Sequence, residues 1–338
     1  MTDLILLFGG ISDERLVSVA SAQNLATHLQ KAELWFISPS GSVTRTSARE
    51  LSEHSRPFET PFQPSVKPFA QNTVSALSEV KGRVIFIGLH GTEGEDGSLQ
   101  KLLEQHNVRY TGSRSASSKM CFDKTQAKIH ITDSGLTVPM GFEISKSDEL
   151  AKPKILAAFK DYERLVAKPA SSGSSFGLRF LNSAADCEAF SSELKTSAYE
   201  MYLIEQCLIG RELTVGIIER DNGKRLALPP SEVIMKTGQN FDYEGKYLGR
   251  GSTEITPAEL SIKDRDLCQS LALQAHIVLG CRGYSRTDMI LTKKGPVFLE
   301  TNTLPGMTKA SFIPQQLAAA QIPLETFISE QVLAALKA

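Results

Sequence analysis

Residues Gly283–Pro314 read GYSRTDMILTKKGPVFLETNTLPGMTKASFIP, and the fold turns on this stretch. Two apolar runs, Asp288–Leu291 and Pro296–Leu299, flank the polar turn Thr292-Lys293-Lys294-Gly295. This pattern predicts a β-hairpin with a glycine-containing loop. With Lys293, Lys294 and Gly295 as the loop, Thr292 faces Pro296, Ile290 faces Phe298, Asp288 faces Glu300 and Arg286 faces Asn302. Side chains two apart on a strand share a face, so Arg286, Asp288, Glu300 and Asn302 form one polar patch. Opposed residues sit about 5 Å apart at Cβ, and like charges there are destabilising. Such a patch suits an oxygen cage, because Mg²⁺ takes carboxylate and amide oxygens and keeps substrate phosphates as further ligands. A solvated hairpin face whose charges pair with Arg286 accounts equally well for the same residues.

Working outward, the 338 residues are enough for two or three domains with well-buried cores. The formal net charge of −1 gives no electrostatic reason to expect nucleic acid or an anionic membrane as partner. The five cysteines (121, 187, 207, 268 and 281) are odd in number and lack C-x-x-C spacing, which predicts free thiols in a reducing compartment. The first apolar run, Leu4–Phe8, is too short for a secretory signal and has no basic flank. No stretch approaches a membrane span. A cytoplasmic protein is expected.

Leu4–Phe8 reads as a buried strand running into Gly9-Gly10, followed by a helical pattern from Leu16 to Leu29. This is a nucleotide-type α/β opening without G-x-G-x-x-G. Residues Ser38–Lys81 show weak periodicity and predict a long surface connection with little regular structure. Val84–Leu89 is a strand ending in His90-Gly91-Thr92-Glu93-Gly94-Glu95-Asp96-Gly97, a loop suited to a ligand crevice. Lys124 and Lys128 fall one helical turn apart on one face. The strand Leu165–Pro169 carries Lys168 and leads into a Gly/Ser loop, 170–177, able to present backbone N–H groups to phosphate. The loop 238–251, rich in glycine and tyrosine, fits a lid. A long helix is predicted over Ser261–Leu279 and a terminal one over Leu324–Lys337.

The order of these stretches resembles the D-alanine–D-alanine ligases of the ATP-grasp superfamily over nearly the whole chain. The matching segments are GGISDERLVS (9–18), LHGTEGEDGSLQ (89–100), YTGS (110–113), VAKPASSGSSFG (166–177), FDYEGKYL (241–248), SRTDMI (285–290) and LETNTLPGMTKASFIP (299–314). The resemblance implies an α/β, three-domain ATP-grasp fold with an N-terminal Rossmann-like domain. The expected domains are 1–112 for substrate, 113–205 as the central ATP-grasp unit, and 206–338 with the lid and metal site. It implies ATP-dependent ligation of two D-alanines through an acyl phosphate, releasing ADP and phosphate, for peptidoglycan precursor synthesis. The alternative is another ATP-grasp carboxylate–amine ligase with a different amino-acid acceptor. ATP and two Mg²⁺ ions, with Mn²⁺ as a substitute, are the implied cofactors. D-alanine and ATP are the implied substrates, and a homodimer is the expected assembly.

Residue by residue, the resemblance makes Glu14 the group that takes the first ammonium, linked to Ser174 and through it to Tyr247 of the lid. His90 lies beside the first carboxylate, Gly306 offers a backbone N–H to the substrates, and Ser311 contacts the second carboxylate. Lys124, Lys168, Ser175 and Lys246 meet phosphates; Glu205, Cys207 and Leu208 form the adenine hinge; Glu212 meets the ribose. Asp288, Glu300 and Asn302 hold metal, and Arg286 holds the transferring phosphate and the tetrahedral oxyanion. The chain departs from the family pattern at Phe241, where tyrosine is common, and at Thr301 and Leu304, which replace smaller residues. Leu304 is expected near the second substrate. Residues 38–81 form a longer connection than usual.

Overall fold

The structure is a computed structural model and describes residues 4–29, 31–171, 177–235 and 252–337. Three sheets organise it. The first runs β3-β2-β1-β4, from β1 (Leu4–Gly9), β2 (Glu33–Ile37), β3 (Val43–Thr46) and β4 (Val84–Ile87). β1 lies parallel to both β2 and β4, with helix α1 (Arg15–His28) as the crossover between β1 and β2. Central parallel strands are covered on both faces, which is why Leu4–Phe8 is apolar without alternation and fully buried. At the end of β1, Gly9 has φ +93°, and a Cβ there would lie 2.3 Å from the Ile37 carbonyl oxygen. Only glycine lets the chain turn there.

Segment 38–81 departs from expectation. It forms β3, helix α2 (Ala48–Glu53) and helix α3 (Thr73–Ala76). These elements are too short for periodicity to show, and their caps hold them instead. Ser47 accepts the Glu50 N–H, and Asn72 and Ser75 form a reciprocal capping box. Phe62 packs edge-on to Phe36 at 5.2 Å, so the segment completes the first core rather than lying on the surface.

Helices α4 (Ser98–Gln105), α5 (Ser115–Phe122) and α6 (Lys124–Asp133) follow. The second sheet, β5-β8-β6-β7, is antiparallel and built from β5 (Gly141–Ser145), β6 (Leu165–Pro169), β7 (Arg179–Leu181) and β8 (Met201–Gln206). Helices α7 (Ala151–Tyr162) and α8 (Ala184–Leu194) pack on it. The sequence reading missed α7, whose Pro153 sits in the first turn, where a missing N–H costs nothing.

The third sheet runs β12-β11-β9-β13-β14 with β10 on β9: β9 (Arg211–Glu219), β10 (Arg225–Ala227), β11 (Ser231–Met235), β12 (Ser252–Ile255), β13 (Tyr284–Thr292) and β14 (Gly295–Asn302). Helix α9 (Ile262–Val278) packs on it together with Cys121, Ala127 and Ile131 of α5 and α6. Helices α10 (Phe312–Ala319) and α11 (Leu324–Lys337) return the chain to the first sheet. There Ile313, Leu317, Phe327 and Val332 join the core of β1 and β4. The first and third sheets are thereby fastened together on either side of one cleft. Among the described residues no helix is long and apolar enough to cross a membrane. All five cysteines are free, four of them buried.

The β13–β14 hairpin pairs Arg286 with Asn302 and Asp288 with Glu300, as the sequence arithmetic gave. Its turn does not follow that arithmetic. Thr292 pairs with Gly295, Ile290 with Val297 and Met289 with Phe298, so the loop is Lys293-Lys294 alone. An irregularity between Asp288 and Met289 leaves Leu299 as an extra residue on β14, a β-bulge. The bulge cancels the one-residue difference in loop length. Without it Asp288 would face Leu299, and Glu300 would turn to the core side.

Candidate active site

The hairpin supplies one wall of the cleft. The Arg286 guanidinium donates to both oxygens of Asp288, Nε to Oδ1 at 2.9 Å and Nη2 to Oδ2 at 2.8 Å. Thr214, opposite Asp288 on β9, donates its hydroxyl to Oδ1 at 2.5 Å. The Asn302 amide nitrogen is 3.5 Å from Asp288 Oδ2. Glu300 Oε2 lies 3.4 Å from Lys124 Nζ. The pairing with Arg286 is thus present, yet both partners are largely buried, so this is not a solvated hairpin face. Among the described residues no three His, Cys, Asp or Glu side chains converge as a metal cluster. Two carboxylates and an amide, offset by Arg286 and Lys124, are hard oxygen donors of the kind Mg²⁺ uses alongside substrate phosphates.

A second constellation stands on β6, β8 and α6. Glu205 is buried and accepts from Lys168 Nζ at 2.6 Å and from Lys128 Nζ through its other oxygen. Burial works against the Glu205 carboxylate, but Lys168 and Lys128 outweigh it and hold the group below the usual carboxylate range. Burial also opposes charge on Lys168, where Glu205 and Glu300 prevail and raise it. Lys128 is pushed well down by its burial and by Lys168. Two lysines thus converge on one ionised carboxylate at the end of β6, beside the loop that would receive phosphate. Beyond β8, the Cys207 N–H is taken by the Arg164 carbonyl at 2.9 Å. Leu208 follows, and Glu212 stands on β9 opposite Ile290.

The third part comes from the first sheet. Glu14 is the N-cap residue of α1, where Ser12 ties the loop by accepting the Glu14 N–H at 3.2 Å and donating to the His90 carbonyl at 2.7 Å. Among the described residues no side-chain cap closes α1. His90 is buried, and that burial lowers its pKa, so the ring is neutral. Its Nδ1 lies 2.9 Å from the Leu304 carbonyl and its Nε2 2.9 Å from the Ser21 hydroxyl. Glu95 is pushed well above the carboxylate range by its burial and by Glu14, against the pull of Arg286. Ser311, at the start of α10, accepts the Thr308 N–H at 3.1 Å. The Leu304 side chain is buried beside Gly112 in the core rather than in the cleft, which corrects its expected place at the second substrate.

Glu14, His90, Glu212, Arg286, Asp288, Glu300, Asn302, Gly306 and Ser311, up to 297 positions apart in sequence (Glu14 to Ser311), line one cleft in space. Lys124 borders an adjoining recess with Glu300 and Asn302. Lys168 and Glu205 form the constellation beside it, with Cys207 and Leu208 on the segment that follows. Ser174, Ser175, Lys246 and Tyr247, and the substituted Phe241, lie outside the described residues. The sequence reading did not assign Lys128, Glu95, Thr214 or Glu254, all of which stand at these walls. Lys128 was visible as the partner of Lys124 on one helix face, and Glu95 lies within the GEDG motif. Thr214 needed the β9–β13 register.

A Rossmann-like sheet joined to two further sheets around carboxylates, lysines and an arginine defines an ATP-grasp ligase. Residues 3–113 match the family model "D-ala D-ala ligase N-terminus", and residues 133–333 match "D-ala D-ala ligase C-terminus". A D-alanine–D-alanine ligase of Leptospira interrogans serogroup Icterohaemorrhagiae serovar Lai (strain 56601) is 33% identical, covering 100% of this chain and 99% of its own length. Among solved structures, the D-alanine–D-alanine ligase from Coxiella burnetii is 25% identical with a TM-score of 0.80, covering 99% of this chain and 93% of that one. The VanG D-Ala:D-Ser ligase from Enterococcus faecalis is 25% identical with a TM-score of 0.81, covering 98% of each. The chain belongs to the D-alanine–D-alanine ligase family.

Proposed function

We propose that this protein joins two D-alanines to D-alanyl-D-alanine at the expense of ATP, supplying peptidoglycan precursor synthesis. The observation that carries the reading is the shared cleft: Glu14 and His90 from the first sheet face Arg286, Asp288, Glu300 and Asn302 from the third. An amino acid held by its ammonium at Glu14 has its carboxylate directed toward the hairpin. That carboxylate oxygen attacks the γ-phosphorus of ATP, ADP leaves, and an acyl phosphate forms. The amine of the second D-alanine then adds to the acyl carbon and loses a proton, and phosphate departs with the C–O bond. Phosphoryl transfer of this kind depends on positioning and charge neutralisation rather than on a protein nucleophile.

Lys124, Lys168 and Lys246 are the phosphate lysines of this reading, with Ser175 over the phosphates. Glu205 orients Lys168 as well as serving the hinge with Cys207 and Leu208, and Glu212 takes the ribose. Asp288, Glu300 and Asn302 would hold two Mg²⁺ ions, or Mn²⁺, which supply charge neutralisation at the phosphates. Arg286 steadies the transferring phosphate and the oxyanion, assisted by the Gly306 N–H, and Ser311 receives the second carboxylate. Glu14, Ser174 and Tyr247 act as a linked set at the donor. The domains divide at 112/113 and 205/206, with α5 and α6 lending apolar side chains to the third sheet. A homodimer in the cytoplasm completes the reading.

Because one similar solved structure is titled a D-Ala:D-Ser ligase, the alternative that merits testing is a different acceptor. ADP release is measured with a panel of D- and L-amino acids. D-alanine as the best sole substrate supports the reading; an acceptor preferred over D-alanine replaces it with the alternative.

A further inference from the structure

We propose that Ser21 is a positioning residue for the acceptor amino acid: with His90 it forms a buried relay that fixes the turn Leu304–Met307, on which Gly306 presents its N–H. This rests on the reading of the Gly306 N–H as a donor to the oxyanion that acceptor attack creates, and of Ser311 as the contact to the second carboxylate.

The hydrogen bonds form one directed chain. The Leu304 carbonyl can only accept, so His90 Nδ1 carries the proton and donates to it at 2.9 Å. In the neutral ring Nε2 is then an acceptor, and the Ser21 hydroxyl donates to it at 2.9 Å. The Ser21 oxygen in turn accepts the Met307 N–H at 3.1 Å. One helical turn on, Asn24 donates its amide to the Met307 carbonyl at 2.8 Å. Ser21, His90, Leu304 and Met307 are all essentially excluded from solvent. Both ring nitrogens of His90 are therefore committed to protein, and the ring acts through the turn it holds. Gly306 lies between the clamped residues, so close to Ser311 that a Cβ on it would sit 2.8 Å from the Ser311 hydroxyl. Moving the turn moves both acceptor contacts together. Glu14, the donor contact, hangs on Ser12, whose hydroxyl donates to the His90 backbone carbonyl and not to the His90 ring, so removing the Ser21 hydroxyl leaves that link in place.

The test compares the full-length wild type, Ser21→Ala and Asn24→Ala. Scrambling of ¹⁸O between the bridging and terminal positions of ATP reports the donor half-reaction, and dipeptide formation reports the acceptor. Losing a buried hydrogen bond weakens the contact it positions, so the D-alanine half-saturation for dipeptide should rise roughly tenfold in Ser21→Ala. The KM for ATP and the D-alanine dependence of scrambling should stay within about twofold, because the Ser21 and Asn24 bonds run to the Met307 turn and not to the Ser12 loop that carries Glu14. Asn24→Ala should shift the same constant in the same direction, and it carries the test if Ser21→Ala melts too low to assay. Equal shifts in both half-reactions, or none in either, would overturn the proposal. A wild type without D-alanine-dependent scrambling would instead overturn the ligase reading, and this inference with it.

Discussion

At the scale of single residues, Glu300 and Arg286 carry the most weight. Glu300 faces Asp288 across the ladder and sits beside Lys124, so it couples the proposed metal site to a proposed phosphate lysine. Glu300→Gln keeps the shape and removes the charge. Turnover should be lost while the melting temperature stays near wild type, and wild-type-like rates at saturating Mg²⁺ would refute the role. Arg286 grips both oxygens of Asp288, a fork that lysine cannot reproduce. Arg286→Lys should lower kcat by about 10²–10³, the usual cost of losing one pre-organised donor. Single-turnover kinetics provide the check, and a change smaller than about tenfold would contradict the assignment. Motif spacing made both residues legible before any fold was known. Lys128 was half legible: its helix face was visible, but its partner Glu205 lies 77 residues away on β8, and only the tertiary placement of α6 brings the two together, while the β6–β8 register brings Lys168.

At the scale of elements, the hairpin teaches most. The pairs Arg286–Asn302 and Asp288–Glu300 were read correctly from a loop one residue too long, because the bulge at Leu299 makes up the difference. Hydrophobic alternation gives no sign of a bulge next to a short turn. The helices of 38–81 escaped for a related reason, since four to six residues cannot establish a period and their capping residues also suit loops. The register account makes a position-dependent prediction. A glycine inserted between Leu299 and Glu300 turns Glu300 and Asn302 toward the core, and activity should fall by roughly 10³ or more, as loss of metal-site carboxylates implies. The same insertion between Lys293 and Lys294 lengthens a surface turn and should change kcat less than about threefold. Equal effects at the two positions would show that register is not what places Glu300.

At the scale of the molecule, one cleft is closed by elements from both ends of the chain, with α10 and α11 packed into the core of the first sheet. This long-range return was not legible from local pattern, and the resemblance brought the site residues together without indicating that α10 and α11 pack on the first sheet. The assembled cleft is expected to make an amide rather than an ester. An amine attacks only when unprotonated, and a free α-amino group titrates near pH ~8. Lowering the pH from there protonates the acceptor, so dipeptide synthesis should climb between roughly pH 6 and 8 as the neutral fraction grows. D-Lactate gains nothing from that change and should stay a poor acceptor; depsipeptide as the main product at neutral pH would contradict this. The central claim, two D-alanines joined through an acyl phosphate, is tested most directly with D-alanine carrying ¹⁸O in its carboxylate. The account predicts D-alanyl-D-alanine with one ¹⁸O transferred from each donor to the released phosphate. Dipeptide formed with unlabelled phosphate, or ADP release indifferent to D-alanine, would contradict it.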